Sequence, residues 1–240
     1  MKLNIRTLSI SLLLLFLTIA CSSQSFFDIK PEEIDYELYQ GREILTKETN
    51  NIISYVNFEH QEENFLVFYA YIINDSQNQI VINPETFYLN IDEFQNQEEK
   101  VSFNKYSALD PEIEIESIKN EMSDLEDEHS ANVGLNCLFA AFNIVADLVE
   151  GEEEEAVIDA GEWTGTIMAE HENYEAYKAH LKENKKFWEN EVLRITTLYE
   201  GEEIGGLIYF PLIKKAAKFT LQLEFGEELH NYRFKQLRID

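Results

Sequence analysis

One stretch decides the fold: residues 65–73 read Phe-Leu-Val-Phe-Tyr-Ala-Tyr-Ile-Ile, and the turn-forming sequence Asn-Asp-Ser-Gln-Asn follows at 74–78. A short apolar run that ends in such residues is typical of a β-strand followed by a turn. Side chains of a strand alternate between the two faces of its sheet, so both faces of this strand are apolar. We therefore expect it to be covered on both sides, with an opposing sheet on one of them.

Similar strand patterns lie on either side of this stretch. Apolar and polar residues alternate through residues 51–103, including a short strand near 100–103, and again through residues 217–225. A last strand is predicted at 229–237, where Arg233, Lys235 and Arg238 indicate an exposed edge. The pattern predicts a mostly β fold built from antiparallel sheets.

Residues 111–193 interrupt the β pattern with apolar residues at helical spacing. They predict about three helices, near 115–125, 135–149 and 174–192, with a polar gap at 151–166. The insert holds 22 acidic and 5 basic residues. We expect its helices to pack on the second apolar face of the 65–73 strand, so that residues 34–240 form one domain. An independently folded insert is the alternative.

The N-terminus predicts an export signal. Lys2 and Arg6 precede an uncharged apolar run at 8–20, which at ~1.5 Å per residue is too short to cross a ~30 Å membrane core. Residues 17–21, Leu-Thr-Ile-Ala-Cys, resemble the lipobox of bacterial lipoproteins. This resemblance implies a signal peptide at 1–20, lipid on Cys21 and a polar tether at 21–33. A secretory signal with a chance cysteine is the alternative.

Three segments resemble a family of small bacterial lipoproteins with a telokin-type domain. They are residues 65–82, 83–87 and 197–211, within a similarity that covers about 51–103 and 197–225. The resemblance implies an immunoglobulin-like antiparallel sandwich, onto one face of which the helices would pack. It implies little about activity, because a fold of this kind serves many functions.

Charge limits the possible partners. The chain has 46 acidic and 19 basic residues, a formal net charge of −27 at pH 7. Such a charge repels phosphate backbones and attracts cationic proteins, so no nucleic-acid partner is expected. With Cys21 lipidated, Cys137 has no disulfide partner in the chain, and its apolar neighbours predict a buried thiol.

No familiar catalytic or cofactor motif is present in the sequence. The acidic runs at 126–128 and 152–155 lack the spacing of a calcium loop, so we interpret them as a solvated face, with loose divalent-ion binding as the alternative. His171 and His180 are nine residues apart and fall on opposite faces of one predicted helix, which excludes a metal pair. No catalytic residue, metal or cofactor is therefore expected.

The sequence favours a membrane-anchored, non-catalytic binding module of the bacterial cell envelope. Ser22 and Ser23, in place of an Asp retention signal, favour the outer membrane. The expected partner is an envelope protein or another cationic protein. The alternatives are an acidic inhibitor of a basic exported protein such as a lysozyme, and an enzyme with an unrecognised site. Candidate partner contacts are Trp163, expected in a loop between helices, and the acidic run Glu152, Glu153, Glu154 and Glu155.

Overall fold

The computed structural model describes residues 25–62, 64–95, 104–127, 129 and 153–239, without the side chains of 153–170 and 172. Most of this part of the chain is β-structure, and it contains two α-helices. The strands are β1 (Phe26–Pro31), β2 (Glu37–Tyr39), β3 (Arg42–Thr49), β4 (Ile52–Glu62), β5 (Phe65–Asn74), β6 (Ile80–Ile82), β7 (Tyr88–Phe94), β8 (Lys105–Ser107), β9 (Thr196–Leu198), β10 (Glu202–Pro211), β11 (Ala216–Phe225) and β12 (Glu228–Ile239). The helices are α1 (111–127) and α2 (Glu153–Asn190).

Two five-stranded antiparallel sheets make up the β-structure. Sheet I has the order β1-β12-β11-β7-β8, sheet II has the order β10-β5-β4-β3-β2, and β6 pairs separately with β9. The strand expected from residues 65–73 is β5, and it is hydrogen-bonded on both sides, to β4 and to β10. β5 is therefore an inner strand of sheet II.

The main core lies between the two sheets. Phe68 of β5 is at its centre, with ring centroids 5.1 Å from Phe234, 5.5 Å from Phe58, 6.1 Å from Phe210 and 6.2 Å from Phe219. These rings come from both sheets and interdigitate as the inner faces of a β-sandwich do. Edge-to-face contacts of this kind add to the stabilisation from apolar burial.

The helical insert contacts one end of the outer face of sheet II. Val192, just after α2, is buried against Val67 and Tyr209 of the sheet, and Trp188 packs on the same cluster. The backbone of Leu193 pairs with Leu207 of β10 through a 2.9 Å hydrogen bond. The base of the insert therefore covers part of the second apolar face of β5.

An ion pair joins the start of α1 to the chain after α2. The Asp110 carboxylate accepts a 2.9 Å bond from the Glu112 backbone N–H, as a helix N-cap does. Arg194 donates two bonds to Glu112, of 2.6 and 2.9 Å, and this pairing lowers the pKa of the Glu112 carboxyl. The bidentate geometry fixes the position of α1 against the base of α2.

The helices differ from the sequence prediction in two ways. The described residues contain two helices rather than about three, and the helix expected near 135–149 lies outside the described part. The polar gap expected at 151–166 is wrong from residue 153 onwards, because α2 runs through it. Gly161 and Gly165 cost a helix only about 1 kcal/mol each, and the acidic residues Glu153–Glu155 favour a first helical turn.

The N-terminal segment also differs from the prediction. The tether expected at 21–33 is wrong over Phe26–Pro31, which form β1 and pair with β12. Since β1 covers β12, that strand is not the edge that its basic residues indicated, although Arg233 and Lys235 are exposed. The short strand expected near 100–103 lies outside the described residues.

Candidate functional site

The outer faces of the two sheets differ in character. On sheet I, alternate residues of the inner strand β11 are polar: Lys218, Thr220, Gln222 and Glu224. On sheet II, the corresponding outward residues of β5 are Val67, Tyr69, Tyr71 and Ile73. An apolar, aromatic face that is left partly open is typical of a binding surface, whereas a polar face is stable in water.

An open cleft of about 670 Å³ lies on this face of sheet II. Four tyrosines line it, Tyr39, Tyr55, Tyr69 and Tyr71, together with the aliphatic side chains of Ile44, Ile73 and Leu207. We call it the tyrosine cleft. Ligand pockets in proteins commonly have volumes of roughly 300–1,000 Å³, so the cleft is large enough for a small ligand or a few side chains of a partner.

Strand register brings the tyrosines together. Tyr71 of β5 lies directly opposite Tyr55 of β4, and their ring centroids are 6.2 Å apart with a tilt of 48° between the planes. Tyr69 lies two residues away on the same face, opposite Asn57. Because these residues belong to hydrogen-bonded strands rather than to loops, the rings are held on a rigid base.

A glycine on β10 makes room for two of the rings. Gly205 is paired with Tyr71, and a Cβ atom built on it would overlap the Tyr69 hydroxyl and lie 2.8 Å from a ring carbon of Tyr71. A residue with a side chain at this position would push both rings off the strand. The close approach therefore requires glycine at 205.

The charged groups of the cleft are mostly carboxylates. Glu59, Glu191 and Glu203 line it, and Arg42 is the one basic residue among the described residues that line it. The Arg42 guanidinium contacts the Glu59 carboxylate at 2.7 Å. The Tyr71 hydroxyl donates a hydrogen bond to Glu203, and this bond, helped by desolvation, raises the pKa of Tyr71 to about 12. Tyr71 is therefore neutral at physiological pH, and the carboxylates leave the cleft with an excess of negative charge.

The chain after α2 closes one end of the cleft. Glu191 follows α2 directly, and its carbonyl accepts a 2.8 Å bond from the Leu207 backbone N–H. Beyond it, the Trp188 ring lies 5.1 Å from that of Tyr209. Burial raises the pKa of Tyr209, whose hydroxyl donates a 3.3 Å bond to Glu62. The insert thus divides the outer face of sheet II into a buried part and the open tyrosine cleft.

A second polar cluster lies in the core, between the sheets. Ser54 Oγ is 2.5 Å from both His230 Nδ1 and the Tyr232 hydroxyl, and that hydroxyl also donates a 2.9 Å bond to the Ser54 carbonyl. All three residues are at most 1% exposed. Desolvation lowers the pKa of His230 and favours the neutral imidazole. A substrate cannot reach this serine, so the cluster joins the sheets and is not a nucleophilic site.

The described residues contain neither a metal-binding cluster nor a membrane-spanning helix. Within the described ranges, no group of three or more His, Cys, Asp or Glu side chains is arranged to hold a metal ion. None of the described helices is both long and apolar enough to span a membrane. His171, expected opposite His180 on its helix, stacks on His129 at 5.7 Å.

Of the contacts expected from sequence, those that the structure describes do not line the tyrosine cleft. Cys21 and Glu152 are outside the described residues, as is Cys137, and Glu153, Glu154 and Glu155 begin α2. The prediction that Trp163 lies in a loop is wrong, because it is within α2. At ~1.5 Å per residue, Trp163 is about 40 Å along the helix from the cleft residue Glu191.

The sequence did carry a signal for the cleft. Tyrosine occurs at the outward positions 55, 69 and 71 of two neighbouring strands, whereas the inward positions next to them are Ser54, Val56, Phe68, Ala70 and Ile72. Tyrosine combines an apolar ring with a polar hydroxyl and is enriched at interfaces. Both faces of this strand were expected to be buried, so an open site on one of them was not predicted.

Comparison with protein-family models, curated proteins and solved structures finds no match to this chain.

Proposed function

We propose that this protein is a lipid-anchored, non-catalytic binding protein of the bacterial cell envelope, and that it binds its partner at the tyrosine cleft. The observation that carries the proposal is the open aromatic face of sheet II, about 670 Å³ in volume. Aromatic residues on strands lose little conformational entropy on binding and contribute large contact areas.

Support for the anchor comes from the N-terminal sequence. A charged start, a short apolar run and the pair Ala20-Cys21 match a lipoprotein signal, and Ser22 and Ser23 favour the outer membrane. Lipid chains contribute ~0.8 kcal/mol for each buried CH₂ group, so a multiply acylated cysteine holds a protein firmly at a membrane.

We further infer an immunoglobulin-like, telokin-type sandwich. Support comes from strand order, since β4-β5-β10 matches strands A-B-E of one immunoglobulin sheet and β7-β11-β12 matches C-F-G of the other. The helical insert then occupies the position of strand D. On this view β1, β2 and β3 are additions that extend the two sheets.

The anchor is tested by replacing the proposed lipid-bearing cysteine. We expect Cys21→Ser to move the protein from the detergent phase to the aqueous phase, or to leave it unprocessed, because serine offers no thiol for the thioether. Phase partitioning and mass spectrometry of the N-terminus measure this, with Cys137→Ser as the control that keeps the wild-type partition. Membrane retention of processed Cys21→Ser protein would exclude the lipoprotein proposal.

The binding face is tested by capture from solubilised envelopes. We expect the double variant Tyr55→Ser, Tyr71→Ser to capture at least about tenfold less partner than the wild-type protein does, because it removes two of the four rings. Thr220→Ala, Gln222→Ala on the outer face of sheet I is the matched control. Equal capture by wild-type protein and the tyrosine variant would show that the cleft is not the binding face.

A second candidate function is inhibition or sequestration of a basic exported protein. The excess of carboxylates at the cleft and the net charge of −27 favour it. Such binding would weaken steeply as ionic strength rises, since the Debye length falls from about 10 Å at 0.1 M salt to about 3 Å at 1 M.

A further inference from the structure

We propose that the tyrosine cleft recognises a cationic side chain, that of lysine, presented by a protein partner. This inference rests on the proposed binding function of the cleft and specifies the chemistry of its partner. It combines three observations: aromatic rings gathered on one face, an excess of carboxylates around them, and ring faces over which no lysine or arginine of the described residues lies.

The rings supply the first part of the site. A cation within about 6 Å of an aromatic centroid is attracted to the negative face of the ring, and several rings together form a cage. The Tyr55 and Tyr71 centroids are 6.2 Å apart and their planes are tilted, so one cation can approach both. Gly205 lets the rings of Tyr69 and Tyr71 lie over β10 instead of standing apart.

The carboxylates supply the second part. Arg42 is already paired with Glu59, which leaves Glu191 and Glu203 as the carboxylates of the cleft without a basic partner among its lining residues. Glu203 accepts a hydrogen bond from the Tyr71 hydroxyl, which places its carboxylate group beside the rings. A cation that enters between the rings therefore meets negative charge as well as aromatic faces.

Tyrosines elsewhere in the chain show the contrast. Lys105 Nζ lies 3.4 Å from the Tyr88 centroid, and Lys178 Nζ lies 5.2 Å from that of Tyr174. Among the residues that the structure describes, no lysine or arginine stands over a ring of the tyrosine cleft. Lysines of the chain thus lie over the rings of Tyr88 and Tyr174. The rings of the cleft remain open to a cation from a partner.

A neutral glycan is the main competing ligand, since tyrosine faces also stack on sugars. Sugar hydroxyls would donate hydrogen bonds to Glu191 and Glu203, but only a cationic ligand would also gain the attraction between opposite charges. The charge of the cleft therefore favours the cationic side chain, and the experiment separates the two ligands.

The test uses full-length protein in neutral detergent and a set of short peptides with one common Gly/Ser sequence. At a few fixed positions each peptide carries lysine, trimethyllysine or norleucine, and calorimetry measures the dissociation constant of each peptide. We expect the lysine and trimethyllysine peptides to bind within about threefold of each other and at least about tenfold more tightly than the norleucine peptide. Equal binding of the norleucine peptide, or tighter binding of a neutral oligosaccharide, would overturn the proposal.

Two double variants, each removing two carboxylates, test whether the lysine peptide binds at the tyrosine cleft. We expect Glu191→Gln, Glu203→Gln to weaken lysine-peptide binding at least fivefold, because both carboxylates line the cleft. Glu154→Gln, Glu155→Gln removes the same charge about 50 Å away along α2, far beyond the ~8 Å Debye length in physiological salt, and should change binding less than twofold. Equal weakening by both pairs would show attraction to the net charge of the protein instead of recognition at the cleft.

Single substitutions of one ring separate the aromatic contribution from folding defects. Tyr71→Phe should keep lysine-peptide binding within about threefold, whereas Tyr71→Leu should weaken it at least fivefold at an unchanged melting temperature. Equal binding by the two variants would exclude a cation–ring contact. If no lysine peptide binds while envelope capture still requires the tyrosines, the binding function stands and the cationic ligand is wrong.

Discussion

Replacing residues 111–193 with a short Gly/Ser linker should make the β-sandwich aggregate or lower its melting temperature by at least about 10 °C. The insert covers Val67 and Tyr209 on the outer face of sheet II through Val192 and Trp188. It also supplies Leu193, which is 2% exposed in the main core. Loss of several kcal/mol of apolar burial corresponds to a shift of this size in a domain of this length.

A shorter excision is the control for this experiment. His129 and His171 have ring centroids 5.7 Å apart, so a short linker can join them after removal of residues 130–170. This variant keeps the Glu112–Arg194 ion pair and the contacts of Trp188 and Val192 with the sheet, and we expect a melting temperature within a few degrees of wild type. A full excision as stable as wild type would show that the insert is an independent module.

The same shorter excision also tests the contacts first expected from sequence. It removes Trp163 and the acidic run at 152–155 but leaves every residue named at the tyrosine cleft. We expect capture of the envelope partner to be unchanged. Loss of capture would show that the partner contacts the removed segment, which contains Trp163 and the acidic run.

Phe68→Ala should lower the free energy of unfolding by about 3–5 kcal/mol, because it removes the ring at the centre of the core and leaves a cavity. Phe68 is fully buried and contacts rings from both sheets. Urea titration followed by tryptophan fluorescence measures the change. Phe26→Ala, at a ring that is 52% exposed, is the matched control and should cost less than about 1 kcal/mol. A cost below 1 kcal/mol at Phe68 would contradict the packing described for the sandwich.

The sequence predicted the central part of the fold because its signals are local and strong. The apolar run at 65–73 and the alternation at 217–225 each identify a strand without any knowledge of its neighbours. They form β5 and β11, which lie inside sheets II and I. The antiparallel, mostly β architecture follows from such strands.

Other elements depend on contacts that a sequence does not display. β1 has only two buried apolar residues, Phe27 and Ile29, and it is a strand because β12 offers a free edge. The start of α2 contains glycines that predict a break, and the helix continues through them. The tyrosine cleft depends on the register of β4, β5 and β10 and on how far the insert extends over them, and neither can be obtained from residue spacing.

The position of β1 sets how far the protein can reach from a membrane. β1 pairs with β12 from Phe26 onwards, so only five peptide units separate it from Cys21. Fully extended, five residues span at most about 17 Å. In the lipid-anchored protein that we propose, the sandwich therefore stays within this short distance of its lipid anchor, because no long flexible linker separates the two. A partner anchored in the same membrane would therefore have to reach the sandwich close to the membrane surface.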